Sequence, residues 1–189
     1  MGLHRSARET TGAEEDAAIQ PSYLGLARRL RHSEHTTLGL WPVPASATCD
    51  GVPRLLANAL AAIGATVGLV ASRDGWCQDV SRGRVLVSSL AESVDLITPV
   101  WPDNSNPVGA IEQTLTAIRG RYAWVLLDLT GCESPQVHEL AFVPGVAIVI
   151  LVAQGKISEF GLAKLCRQFP AERLMGAVLM ESLPTEVIV

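Results

Sequence analysis

The sequence predicts an α/β fold of three layers, a largely parallel sheet covered by helices on both faces. Short apolar runs recur along the chain: LGLW (38–41), TVGLVAS (66–72), WVLLDLT (124–130), VAIVILVA (146–153) and MGAVLM (175–180). Runs this short and this apolar read as strands buried on both faces. Between them lie segments whose apolar residues repeat at helical spacing, and strands alternating with such helices pair in parallel because each helix carries the chain back across the sheet. The chain has 189 residues, 48% hydrophobic and 18% charged, which suits one domain with a sizeable core and not two.

Each element has its own justification. Residues 1–20 are polar, mixed in charge and nearly free of large apolar side chains. They are expected to form a flexible tail, since burial cannot offset their ordering entropy, and the single domain is expected over residues 21–189. PSYLGLARRLRHSEHTT (21–37) gives a helix with Tyr23, Leu26 and Leu30 on one face. LGLW is a short buried strand ended by a proline-broken turn. The next helix is expected over residues 53–63, with Leu56, Leu60 and Ile63 on one stripe. Pro53 is tolerated in its first turn, where an N–H has no helical partner, and Gly64 is the stop signal. TVGLVAS and RVLVSS (84–89) are strands separated by the turn-rich RDGWCQDVSRG (73–83). NPVGAIEQTLTAIRGRY (106–122) is a helix turning Ile111, Leu115 and Ile118 inward, and it runs directly into WVLLDLT. Ser134 and Pro135 read as the N-cap and first residue of the helix before VAIVILVA. Ser158 begins a last helix with Leu162, Leu165 and Phe169 on its buried side, and MGAVLM closes the sheet.

Several function classes are disfavoured at this level. With 15 basic against 19 acidic residues the net charge is −4, so a nucleic-acid partner, which needs a basic excess to displace counterions, is not expected. Cys49, Cys77, Cys132 and Cys166 form no CxxC pair, which argues against a zinc site or a secreted disulfide scaffold and for thiols in a reducing cytoplasm. No metal site is expected. The longest apolar run, residues 146–153, is far below the ~20 residues that cross a bilayer, and the opening MGLHRSARETTGAEEDAA lacks a signal-peptide core. Direct membrane insertion is therefore not expected, and peripheral association would run through a partner. His138 reads as a surface or satisfied histidine, and no Ser, His and Asp order marks a hydrolase. Trp41 and Trp124 read as core. Trp76 and Trp101 fall in turn-rich segments near the carboxyl edge of the sheet, where aromatic side chains either pack a loop or anchor a partner.

Four stretches, in order, resemble the MinD/ParA-like P-loop ATPases, and among them the bacterial tyrosine kinases of capsule and exopolysaccharide synthesis. YLGLARRL (23–30) is similar to the helix preceding their first strand. LANALAAIGATVGLV (56–70) resembles the helix after the phosphate loop, with Asn58 in the place of a characteristic asparagine. NPVGAIEQTLTAIRGRYAWVLLDLTG (106–131) resembles the asparagine-proline, helix, aromatic and Walker B strand, and VAIVILVAQGKISEFGLAKL (146–165) the strand and helix after it. The resemblance places the pattern G-x-x-x-x-G-K-[ST] on residues 46–53. Ser46 then stands for the first glycine, Asp50 precedes the matching Gly51, Val52 replaces the phosphate lysine, and Pro53 replaces the hydroxyl that holds Mg²⁺. Pro53 also removes an N–H that would point at phosphate. Arg54 is the cation that remains, one place beyond the hydroxyl position, and the only lysines are Lys156 and Lys164.

Beyond the loop, the carboxylate expected after the second strand falls on Ala71, while Asp128 matches the Walker B aspartate. By residue type alone Asp128 is a carboxylate at a strand end, bonded to neighbouring helix N-terminal amides. The kinases' tyrosine-rich tail has no counterpart: the tyrosines are Tyr23 and Tyr122, both within expected structure, and the chain ends MESLPTEVIV. The kinases' oligomerising glutamate and two arginines fall on Pro21, Leu24 and Ala27, which leaves a homo-oligomer an open question. The resemblance thus implies a P-loop NTPase-like fold without its chemistry. It points to a catalytically inactive cytoplasmic scaffold or regulator of exopolysaccharide biosynthesis or export, with no nucleotide or metal cofactor. Its partner would be a membrane-embedded chain-length regulator or synthase subunit, or an active paralogue. Two alternatives stay open: a divergent kinase or MinD/ParA-type ATPase using ATP and Mg²⁺ through Arg54 and Asp128, and an adaptor of another envelope system such as cellulose synthesis or secretion.

Overall fold

The computed structural model describes residues 21–44, 51–71, 85–99 and 107–180, and the expected tail, residues 1–20, lies outside them. Among the described residues, β1 (Thr37–Val43), β2 (Val67–Val70), β3 (Val85–Ala91), β4 (Val94–Pro99), β5 (Trp124–Asp128), β6 (Val146–Ala153) and β7 (Leu174–Met180) form one sheet. Its order is β3-β4-β2-β5-β1-β6-β7, parallel except where β3 pairs antiparallel with β4. The helices are α1 (Pro21–Leu30), α2 (Val52–Ala62), α3 (Pro107–Ile118), α4 (Ser134–Leu140) and α5 (Glu159–Cys166). This is the three-layer α/β/α architecture with a mostly parallel sheet that the apolar runs predict.

Side-chain alternation sorts the core into two layers. Trp41, Val125, Leu127, Ile148, Ile150 and Val152 face α3, α4 and α5. Leu38, Leu40, Trp124, Leu126, Ala147 and Val149 face α1 and α2. Where neighbouring side chains crowd the sheet, glycine leaves room for them. A Cβ on Gly39 would meet Leu129 Cδ1 at 2.8 Å and Ile148 Cδ1 at 2.9 Å. The expected proline-broken turn after Trp41 is not formed: β1 runs on through Pro42 to Val43, and Pro42 sits within this central strand without breaking its ladder. Leu40 presents its carbonyl towards β5, accepting from Leu129 N–H at 3.1 Å, and by two-residue alternation Pro42 faces the same way, beyond the last β5 residue paired with β1, Asp128.

The structure departs from expectation in three further places. Strand β4 has no counterpart among the expected elements, because Asp95, Thr98 and Pro99 interrupt its apolar pattern and its turn lacks the usual glycine. Ser93 takes the positive φ (63°) that such a turn needs. The N-cap of α4 is Glu133, not Ser134: its N–H donates to Gln136 Oε1 at 2.8 Å, a reciprocal arrangement that moves the helix start back one residue. Phe169 is buried as expected but lies beyond the end of α5, and that helix has no fully buried residue of its own. Ser158 does cap it, its Oγ accepting from Gly161 N–H at 3.1 Å.

Candidate functional site

In an open parallel sheet a ligand site forms outside the carboxyl ends of the strands, where successive connections depart in opposite directions. The connection from β1 runs through α2 on one face towards β2, while α4 carries the chain from β5 across β1 to β6 on the other. The switch point is therefore the carboxyl end of β1 and β5. Gly51, Val52, Pro53 and Arg54 open α2 at that end, and Asp128 closes β5 in register with Leu40 of β1. The fold brings these five sequence-predicted residues to one corner.

The entry to α2 is built on Gly51. Its φ of 93° is open to glycine at little cost and strained for other residues, and its carbonyl accepts from Leu55 N–H at 2.8 Å to start the helix. Among the described residues no side chain caps this end. Val52 is 9% exposed and joins the apolar cluster between α1, α2 and the sheet. Pro53 is buried, and Arg54 is exposed. The three positions after the glycine thus present a packed methyl pair, a ring without an N–H, and a guanidinium at the surface.

Asp128 is half-buried, and its Oδ1 accepts from Thr130 N–H at 3.0 Å. The amide comes from the aspartate's own loop two residues on, which corrects the expected bond to a helix N-terminus. Ala71, at the carboxyl end of β2, offers a half-buried methyl group, and its N–H donates to Ile97 O at 3.2 Å. Ser46, Asp50, Trp76 and Trp101 lie outside the described residues. Among the described residues no group of three or more His, Cys, Asp or Glu is placed to hold a metal, and no helix is long and apolar enough to cross a membrane.

Next to this corner lies an aromatic cluster that the sequence pattern reads only as core packing. Trp41 Nε1 donates to Cys132 O at 3.3 Å, which ties the loop after β5 to the end of β1. Its ring meets Phe169 edge-on at 5.9 Å, and Phe169 meets His138 at 4.6 Å. His138 is half-buried, not at the surface, and among the described residues its buried Nε2 has no hydrogen-bond partner. A tryptophan at a strand end beside the first crossover is the one signal in the sequence for this lock.

The fold is that of a P-loop NTPase-like α/β domain. Solved structures with a similar fold include tyrosine kinase domains. The BceF tyrosine kinase domain superposes with a TM-score of 0.61 at 14% identity, covering 86% of this chain and 75% of that one. The chimerical protein CapA2B2 gives 0.63 at 16% identity, over 90% of this chain and 88% of its own. The kinase domain of the Escherichia coli tyrosine kinase ETK gives 0.54 at 16% identity, over 88% and 78%. Identities this low establish a shared fold. No protein-family model matches the sequence, and no curated protein matches it.

Proposed function

We propose that this protein is a catalytically inactive relative of the polysaccharide tyrosine kinases, retained as a scaffold or regulator of exopolysaccharide biosynthesis or export. The observation that carries the proposal is the burial of Val52 in the apolar layer under α2. A lysine there would have to leave that layer or bring its charge into it, and either is costly. Valine cannot neutralise a β or γ phosphate, Pro53 has neither a hydroxyl for Mg²⁺ nor an N–H for phosphate, and Ala71 has no carboxylate. The described residues therefore do not fit Mg²⁺–ATP, and no catalytic step is assigned to them. The alternative of a divergent ATPase rests on Arg54, exposed in the first turn of α2, acting with Asp128.

A domain without a nucleotide switch has its binding state set by sequence, since only a ligand that prefers one state can shift the balance. The partner proposed is the cytoplasmic portion of a membrane-embedded chain-length regulator or synthase subunit, or an active paralogue, bound constitutively through the carboxyl edge with Trp76 and Trp101 as anchors. The test is a titration against that portion with wild type, Trp76→Ala and Trp101→Ala, with and without nucleotide. Loss of one anchor is expected to cost ~2 kcal/mol, about thirtyfold in Kd, with no effect of ATP or ADP. Nucleotide-dependent binding would favour the enzyme alternative, and unchanged binding by both variants would move the interface.

A further inference from the structure

At the opposite, amino edge of the sheet a cleft of about 450 Å³ opens between the end of α3 and the turn from α4 to β6. That volume is within the range of ligand sites, ~300–1,000 Å³. Its floor is apolar, with Leu115, Ile118 and Val125, and its far wall is the turn at Val143, Pro144 and Gly145. Along its near wall run Glu112, Thr116 and Arg119, spaced at i, i+4 and i+7 and hence on one stripe of α3 and its continuation. The carboxylate and the guanidinium stand seven residues apart, about 10.5 Å along a helix axis. Both residues are exposed, and among the described residues neither side chain is engaged in an ion pair. The Thr116 hydroxyl donates to Glu112 O at 2.9 Å, leaving its lone pairs to accept. Phe142, next in the chain to the Val143 wall, is 71% exposed.

We propose that this cleft binds an extended peptide segment of a partner protein carrying one basic and one acidic side chain about 10 Å apart. The basic group pairs with Glu112, the acidic group with Arg119, and the backbone between them lies over the apolar floor with donors to Thr116. In a polyproline II conformation, with three residues per turn and a rise of about 3.1 Å, residues i and i+3 lie on one side of the chain about 9 Å apart, so the recognised pattern is a basic and an acidic residue separated by two others. The exposed Phe142 extends the surface beyond the cleft, which suits a chain continuing past the recognised residues more than a free small molecule. The site is remote from α2 and Asp128 and stands whether or not the nucleotide corner is inactive.

The probes are pools of N-acetylated, C-amidated tetrapeptides, Lys-X-X-Glu, Lys-X-X-Lys and Glu-X-X-Glu, with X drawn from Leu, Val, Thr and Ala, titrated into the full chain at low salt. Amide shifts of Gly120 and Gly145 are the readout. Wild type is expected to favour the Lys-X-X-Glu pool by about tenfold. Arg119→Glu, which makes both ends acidic, is expected to favour Lys-X-X-Lys, and Glu112→Arg to favour Glu-X-X-Glu. Both substitutions are at exposed positions, and a thermal melt of each variant confirms folding. Absence of shifts at these glycines with about 5 mM peptide, near the weak limit of useful affinity, overturns the proposal. So does an identical pool ranking for wild type and Arg119→Glu.

Discussion

Tyr122 donates its phenolic hydroxyl to Asp95 Oδ2 at 2.9 Å, binding the residue two before β5 to the start of β4 across the intervening β2. Gly68 makes the crossing fit, since a Cβ there would lie 2.9 Å from Tyr122 Cδ2. Burial of the phenol raises its pKa above the ordinary 10.0, and the bond to Asp95 and that carboxylate's charge raise it further.

Tyr122→Phe is expected to cost about 1 kcal/mol by leaving a half-buried carboxylate without its donor. The effect depends on pH with a definite sign. Because the folded-state pKa is the higher one, the contribution is fully present below about pH 10 and is lost as the pH rises through that value towards the folded one. Melting curves from about pH 8 to about pH 11.5, spanning the ordinary phenol range, should converge for wild type and Tyr122→Phe at the alkaline end. Parallel curves throughout would contradict this.

Gly39→Ala is expected to destabilise by about 1–3 kcal/mol through overpacking against Leu129 and Ile148. Ile148→Val removes the Cδ1 that lies 2.9 Å from the added methyl, so the double variant should lose less than the sum of the two single losses. Urea midpoints of the four proteins close the cycle, and strict additivity would show that the strain falls elsewhere.

Trp41→Ala should cost about 3–5 kcal/mol, as expected for a buried indole. His138→Leu should behave oppositely. An apolar side chain of similar size in place of a ring with an unpartnered buried nitrogen is expected to be neutral or stabilising by up to about 1 kcal/mol. A loss above that figure in chemical denaturation would mean that Nε2 has a partner in solution.

Much of this fold is legible because strand burial leaves a strong mark. VAIVILVA coincides with β6 residue for residue, and Pro53 with Gly64 brackets α2 to within two residues. The hairpin strand β4 escapes because it lies near the edge of the sheet, where Asp95 is accommodated by a bond to Tyr122, a long-range fact absent from local pattern. The corner of the site follows from strand order, so Gly51 and Asp128 are readable together by resemblance. The lock of Trp41 on Cys132 and the Glu112–Arg119 cleft are not, since each depends on which loops tertiary packing brings alongside.

The central claim is that the corner holding Val52, Pro53 and Asp128 does not bind nucleotide, and calorimetric titration of ATP with Mg²⁺ into the full chain tests it most directly. No heat of binding is expected up to about 1 mM, equivalent to less than ~4 kcal/mol of affinity. Val52→Lys with Pro53→Ser is not expected to restore ATP turnover, because Ala71 still lacks a carboxylate. A micromolar Kd that Asp128→Ala abolishes would contradict the claim.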